Sequence, residues 1–294
     1  MNTPFAFDRA QVTRAFARAA RSYEQHDALQ REVGARLREQ LLLLDAKPQR
    51  ILDLGAGTGL GSRELARSYP QARVVALDVA LPMLHVARRH AGLLGRAFAR
   101  VAGDALQLPF AEASFDLLHS NLCIQWLSDP APLFAELLRV LRPGGWLLVS
   151  TLGPDTLREL RAAWATADGT HPHVSRFLDI HDLGDAALSA GLRDPVLQSE
   201  TLTLTYPGVD ALLRELKGLG ATNADATRTR ALTGRQRLAR MRAAYPRSAD
   251  GRIASSWEVV YLHGRAPREG EPRRTPQGSE ASFSLAALRA TRRR

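Results

Sequence analysis

Gln49-Arg50-Ile51-Leu52-Asp53-Leu54-Gly55-Ala56-Gly57-Thr58-Gly59-Leu60-Gly61 is the stretch that decides the fold. A short apolar run ends in an acid, glycines follow at alternate positions, and a helical pattern begins. That order reads as a strand, a tight turn and a helix N-terminus. Glycine in such a turn lets backbone approach a ligand where a Cβ would collide. The spacing is D-x-G-x-G-x-G rather than G-x-G-x-x-G, and the Lys-Ser/Thr ending of a phosphate loop is missing. Taken alone, the turn also fits a dinucleotide or no ligand at all.

The alternation continues downstream. Arg73-Val74-Val75-Ala76-Leu77-Asp78 reads as a second strand ending in an acid, placed where a carboxylate can accept both hydroxyl hydrogens of a ribose. Asp104 follows another short strand. Phe115 to Asn121 reads as a fourth strand. Leu141-Arg142-Pro143-Gly144-Gly145-Trp146 reads as a helix stop and a turn into a fifth strand that runs to Ser150. Helices are expected near 60–69, 81–91 and 130–141. Strand–helix alternation of this kind implies one α/β, doubly wound, mainly parallel sheet. Its ligands sit beyond the carboxyl ends of the strands.

Before the first strand, Val12, Phe16, Ala19 and Ala20 form one helical stripe, and Leu29, Val33, Leu37, Leu41 and Leu44 another. After the fifth strand a helix is expected from Pro154 or Asp155 to about Trp164, then helices at 182–190, 209–218 and 234–244. Val196 to Tyr206 alternates like an edge strand, and Arg252 to His263 reads as the last strand. The expected organisation is N-terminal helices over 1–46 covering the cofactor site, a catalytic domain over 47–263, and a basic tail over 264–294. The catalytic domain carries cap insertions at about 154–181 and 207–250. The Arg-, Gly-, Pro- and Ser-rich tail has too little apolar surface to order itself, with a weak helical tendency near 283–291.

At 294 residues the chain can bury a full α/β core and extra helices. A single cysteine, Cys123, rules out an internal disulfide and a cysteine-rich metal site, and fits a reducing cytoplasm. The start, Met1 to Asp8, does not read as a signal peptide, and no apolar run reaches about 18 residues, so no membrane span is expected. The formal net charge is +10, and much of the excess lies in the tail. No basic patch is interleaved with aromatics, so nucleic acid is not the expected partner. A basic surface also attracts an acidic protein and speeds encounter.

The glycine turn and the acids behind it resemble S-adenosylmethionine-dependent methyltransferases, as does the "LRPGG" turn. The resemblance implies that Asp53, Gly55, Gly57 and Gly59 lie against the methionyl part of the cofactor. It places Asp78 on the ribose and Asp104 on the adenine amino group. Val79, Met83 and Ala105 stand beside these acids, and Asn121 and Leu122 follow the fourth strand. Gln30 could reach the same cofactor from the N-terminal helix.

Other segments are similar to the malonyl-acyl-carrier-protein O-methyltransferase family of biotin synthesis: Phe16 to Val33, Ser120 to Trp126, His171 to Leu178, Leu212 to Asn223 and Leu232 to Leu238. The similarity runs from about Val12 to His263. Ala56, Ser175 and Leu262 depart from the usual Cys, Asn and Gly, and the arginine-rich tail is extra. The resemblance implies methyl transfer to the free carboxyl of a malonyl thioester, carried on the phosphopantetheine arm of acyl carrier protein. A carboxylate is already ionised at pH 7 and needs no general base. A cation or hydroxyl must orient it, and Arg176, Lys217 and Tyr23 are the candidates. The alternatives are an Arg176–Asp179 ion pair, a solvated helix face for Lys217 and a purely covering role for Tyr23. His173 and Cys123 are expected to be structural. Rival readings are a quinone-type small-molecule methyltransferase, an arginine-modifying respiratory-complex assembly factor, and a cofactor-binding partner without catalysis.

Overall fold

The apolar run before the glycine turn forms β1, Arg50–Leu54. It pairs in parallel with β2, Arg73–Asp78, on one side and with β4, Phe115–Asn121, on the other. β3, Ala99–Ala102, lies outside β2, and β5, Leu141–Leu152, outside β4. β7, Ile253–Arg265, runs antiparallel between β5 and the edge strand β6, Arg193–Tyr206. The order β3-β2-β1-β4-β5-β7-β6 is therefore the seven-stranded, mainly parallel sheet that the alternation predicts. The protein was obtained as a computed structural model that describes residues 5–44, 46–92, 97–169, 171–229 and 231–271, with the backbone of 273–275 and 278–280.

Helices cover both faces. On one side lie α2 (Ala28–Gln40), α3 (Leu60–Ser68), α6 (Arg158–Ala167) and α8 (Val209–Leu219), whose Val33, Leu37, Leu65, Leu160 and Leu212 share a core with Ile51 of β1. On the other side lie α5 (Pro130–Val140) and α7 (Ile180–Ser189), whose Leu133, Phe134 and Leu183 pack with Leu52 and Leu54. Neighbouring residues of β1 thus feed opposite layers, as the pleat requires. β6 alternates between exposed and half-buried residues, as a strand does when one face is packed and the other meets solvent.

The cap comes from both ends of the domain. α1, Arg9–Ala19, packs on α4, Leu81–Ala87, and on α8. The residues before α1 pair with the segment after α8: Asp8 N donates to Ala224 O and Ala226 N to Ala6 O, at 2.9 and 2.8 Å. α9, Arg235–Ala244, packs against α6.

Two expectations change. α6 begins at Arg158, not at Pro154 or Asp155. Residues 153–157 are tied to β7 instead: Leu157 N donates to Ser256 O, and Asp155 N to the Glu258 carboxylate, at 2.7 and 2.8 Å. Leu157 takes a positive φ of 58° to make the junction. Order also persists beyond Gly264. Ala266 is 3 % exposed and pairs with Gly144–Gly145, which form an irregularity within β5 and not the turn expected before it, and 273–275 pair antiparallel with 278–280. The expected helical tendency near 283–291 lies outside the described residues.

Candidate active site

The sheet order reverses between β1 and β4, and cavities open beyond the carboxyl ends of those strands. Two adjoining cavities, of 280 and 340 Å³, share Tyr23, Gly55, Gly57 and Asn121. The first extends to Gln30, Arg31, Arg38, Asp53 and His119. The second extends to Asp78, Val79, Met83, Asp104, Ala105 and Leu122. Every residue expected at the cofactor except Gly59 lines one or the other. Gly59 starts α3 with φ +80°, and a Cβ there would run into Phe98 and Ala87. It serves the turn from behind, where only glycine fits, and does not face the cavity.

Gly57 is the opposite case. Its φ is +54°, and a Cβ built on it would meet nothing within 4 Å. The turn therefore presents bare backbone to open space, the cradle a cofactor's methionyl chain requires. Asp78 accepts from Gly57 N at 2.9 Å and from Ala80 N at 2.7 Å. Burial pushes its carboxyl above the usual range, against the pull of those backbone N–H groups. Its remaining lone pairs line the cavity and suit a ribose diol.

Asp53 is held from within. Oδ1 is 2.8 Å from His119 Nδ1, and Oδ2 accepts from the Ser62 hydroxyl at 2.5 Å. Asp104 is shared with the Arg9 guanidinium and also accepts from Leu106 N at 3.0 Å. Asn121 fastens the cap: Nδ2 donates to Gln30 O at 2.9 Å, and Oδ1 accepts from Ser150 Oγ at 2.8 Å. Leu122 adopts φ +48°, and its N–H bonds back to Ser150. Burial pushes the Cys123 thiol up to about 12, so it stays protonated and packs beneath Gly55.

A third cavity, of 300 Å³, lies under the cap. Its walls include Lys217, Trp126, Trp164, Asn223 and Trp257. It shares Phe16, Tyr23, Leu122 and Trp126 with the second cavity, and Tyr23 and Gln30 with the first. Among the lining residues only Tyr23 belongs to all three. Its phenol is driven well above the usual range by burial, then by Asp27 and Asp78, and is neutral. Lys217 is exposed and makes no ion pair among the described residues, so the third cavity meets the surface beside a cation.

Arg176 is elsewhere. Its Nε donates to Asp225 Oδ2 at 2.9 Å, and its guanidinium lies 5.2 Å from the Phe5 ring centroid. It lines none of the three cavities. Asp179, the partner that sequence proximity suggests, instead caps α7 by accepting from His181 N at 2.7 Å. His173 stacks on Trp164 at 3.9 Å and meets Asp168 at 3.0 Å, and it also lines the third cavity.

Arg9, Trp126 and Trp257 are site residues that sequence reasoning misses. Arg9 reaches Asp104 across the fold with no local signal. Trp126 ends the Ser120–Trp126 segment and stands 5.5 Å from the Phe16 ring and 5.9 Å from that of Phe7. Trp257 is hidden within an ordinary apolar strand.

Sheet order, the bare glycine turn and the buried acid after β2 together define a Rossmann-like, S-adenosylmethionine-dependent methyltransferase. Residues 52–149 match the family model described as "Methyltransferase domain". The YcgJ protein of Bacillus subtilis, a solved structure, superposes with a TM-score of 0.56 at 20 % identity, covering 80 % of this chain and 98 % of that one. The chain is 45 % identical over 290 residues to the malonyl-[acyl-carrier protein] O-methyltransferase of Xylella fastidiosa (strain M23), covering 98 % of both. It is 44 % identical to the protein of the same name from Laribacter hongkongensis (strain HLHK9), covering 95 % of this chain and 97 % of that one. The chain belongs to the malonyl-[acyl-carrier protein] O-methyltransferase family.

Proposed function

We propose that the chain methylates the free carboxylate of a malonyl thioester borne on the phosphopantetheine arm of acyl carrier protein, an early step of biotin synthesis. The carrying observation is Tyr23, common to the two cofactor cavities and to the third cavity under the cap. A group bound in the third cavity meets the cofactor's methyl group at that residue. S-adenosylmethionine supplies a methyl carbon on positively charged sulfur, so carboxylate attack leaves the broken bond's electron pair on sulfur and moves no proton. Alignment and exclusion of water are what remain for the protein.

In this reading Asp78 holds the ribose, and Asp104, shared with Arg9, meets the adenine amino group. Gly55 and Gly57 pass the methionyl chain, while Val79, Met83, Ala105 and Leu122 form the apolar wall. Gln30, Asp53 and Asn121 brace the methionyl end. Lys217 attracts the acceptor's carboxylate at the mouth, and the neutral Tyr23 hydroxyl donates to it inside. Arg176 supports the cap through Asp225. The basic charge fits an acidic carrier protein, and the single cysteine fits the cytoplasm. No described helix is long and apolar enough to cross a membrane.

The test is methyl transfer from labelled cofactor to malonyl carrier protein, beside free malonate and a phenolic quinone precursor. Ester formation on the malonyl carrier is expected, and weakened by salt because carrier encounter is screened. Much faster methylation of the phenol would replace this reading with the quinone-type one.

A further inference from the structure

Several residues that line the third cavity carry a buried polar atom without a hydrogen-bond partner among the described residues. Trp126 Nε1, Trp257 Nε1 and Thr222 Oγ1 are buried and unpaired among the described residues, and so is Gln125 Oε1. All four residues line that cavity. The donors suit the oxygens of an acyl head. Gln125 does not, and its chemistry is fixed. Its amide nitrogen donates to Leu122 O at 2.8 Å. A carbonyl can only accept, so the nitrogen must stand there and the unpaired atom must be the amide oxygen. Gln125 is 7 % exposed. A buried amide oxygen without a donor costs about 1–3 kcal/mol.

A malonyl head at neutral pH offers only acceptors: carboxylate and thioester carbonyl. It cannot satisfy Gln125. The arm beyond the thioester sulfur can, because a pantetheine-type arm carries an amide N–H a few bonds from sulfur. Gln125 stands next to Trp126 and near Leu122, both walls shared with the cofactor cavity. A head reacting at Tyr23 would place the following amide close by.

We propose that Gln125 Oε1 accepts the N–H of the thiol-proximal amide, so the cavity recognises an amide-bearing thioester arm and not the acyl head alone. The proposal rests on the thioester reading given above. Its test uses two small substrates: the malonyl thioester of N-acetylcysteamine, and its analogue with an ester oxygen in place of the amide N–H. The wild-type enzyme should favour the amide by about tenfold in kcat/KM, the worth of one good hydrogen bond. Gln125→Met, of similar volume, should use both equally, with S-adenosylhomocysteine affinity by calorimetry reporting an intact cofactor site. Equal use of the two substrates by the wild type overturns the proposal, whatever becomes of the variant. So does a Met variant that keeps the preference. Failure to methylate both thioesters and malonyl carrier protein defeats the functional reading itself, and this proposal with it; transfer to the carrier but to neither thioester overturns this proposal alone, since the first amide of the arm would then not be what the cavity recognises.

Discussion

Asp78 Oδ2 accepts the Gly57 N–H at 2.9 Å, so the acid after β2 and the middle of the glycine turn after β1 form one unit. The acid proposed for the ribose also fixes the turn proposed for the methionyl chain. A change at Asp78 should therefore act twice: it removes the acceptors proposed for the ribose hydroxyls and frees the backbone N–H groups of Gly57 and Ala80.

Asp78→Ala should lower S-adenosylhomocysteine affinity by about 1–3 kcal/mol and reduce Tm as well. Calorimetry and thermal melts on the same preparation check both. A folded variant with unchanged affinity would remove Asp78 from the ribose.

Arg176 and Asp225 yield a stability prediction with a sign. Asp225 is fully buried and accepts from Arg176 Nε and from Thr227 N and Oγ1. Burial works to raise its carboxyl, but the Thr227 hydroxyl and Arg176 outweigh it and hold the group below the usual range. A depressed carboxyl means that the unfolded chain binds more protons. The stabilisation is complete above the unfolded value of about 4, and fades as pH falls through the folded value. Arg176→Ala should cost about 1–3 kcal/mol at neutral pH, less than a fully buried pair because the arginine is about one-third exposed. It should also flatten the acid limb of the stability curve. Denaturant melts from neutral to acid pH measure this. Turnover lost without any change in stability would instead return Arg176 to the acceptor's carboxylate.

Much of this architecture is legible because its signals are local. Asp53, the glycine turn and Asp78 each mark a strand end within a few residues, and their alternation with helices gives a mainly parallel sheet; the strand order comes from the structure. Pairings across the fold leave no such trace. Asp225 lies 49 residues from Arg176, and Arg9 lies 95 residues from Asp104. Sequence proximity points Arg176 to Asp179, but Asp179 satisfies the first turn of α7, a closer demand for an acceptor. Gly59 looks like Gly55 and Gly57 in the pattern. Direction sets Gly57 apart: its missing Cβ would meet nothing within 4 Å, whereas a Cβ on Gly55 would run into Cys123 and one on Gly59 into Phe98.

Composition places the start of the dispensable tail near Gly264, and packing moves it. Ala266 N donates to Gly145 O at 2.8 Å, and Arg265 pairs with Glu271 at 2.7 Å. The Arg265 and Arg268 contacts hold the Glu271 carboxyl down to about 2. Truncation after Glu271 should leave Tm and turnover near the full-length values. Truncation after Arg265 should lower Tm by several degrees, since Ala266 and its pairing with Gly145 are lost. Equal melting of the two truncated proteins would show that the 266–271 contacts contribute nothing.

Tyr23 makes the sharpest claim about chemistry. Burial, Asp27 and Asp78 keep its phenol protonated. It can therefore donate a hydrogen bond to a carboxylate but cannot act as a base. The carboxylate nucleophile is already ionised, so no base is required. Turnover on a malonyl thioester should then be flat from about pH 6 to about pH 9, below the phenol's raised range. Tyr23→Phe keeps the ring that closes all three cavities and removes only the hydroxyl. It should lower kcat by about ten- to a hundredfold through lost alignment, leave S-adenosylhomocysteine affinity nearly unchanged, and keep the flat profile. A wild-type rate that climbs with pH, and loses that climb in Tyr23→Phe, would make the phenol a base. The acceptor would then have to be a group that carries its proton into the site, such as a phenol, and the malonyl carboxylate would be the wrong substrate.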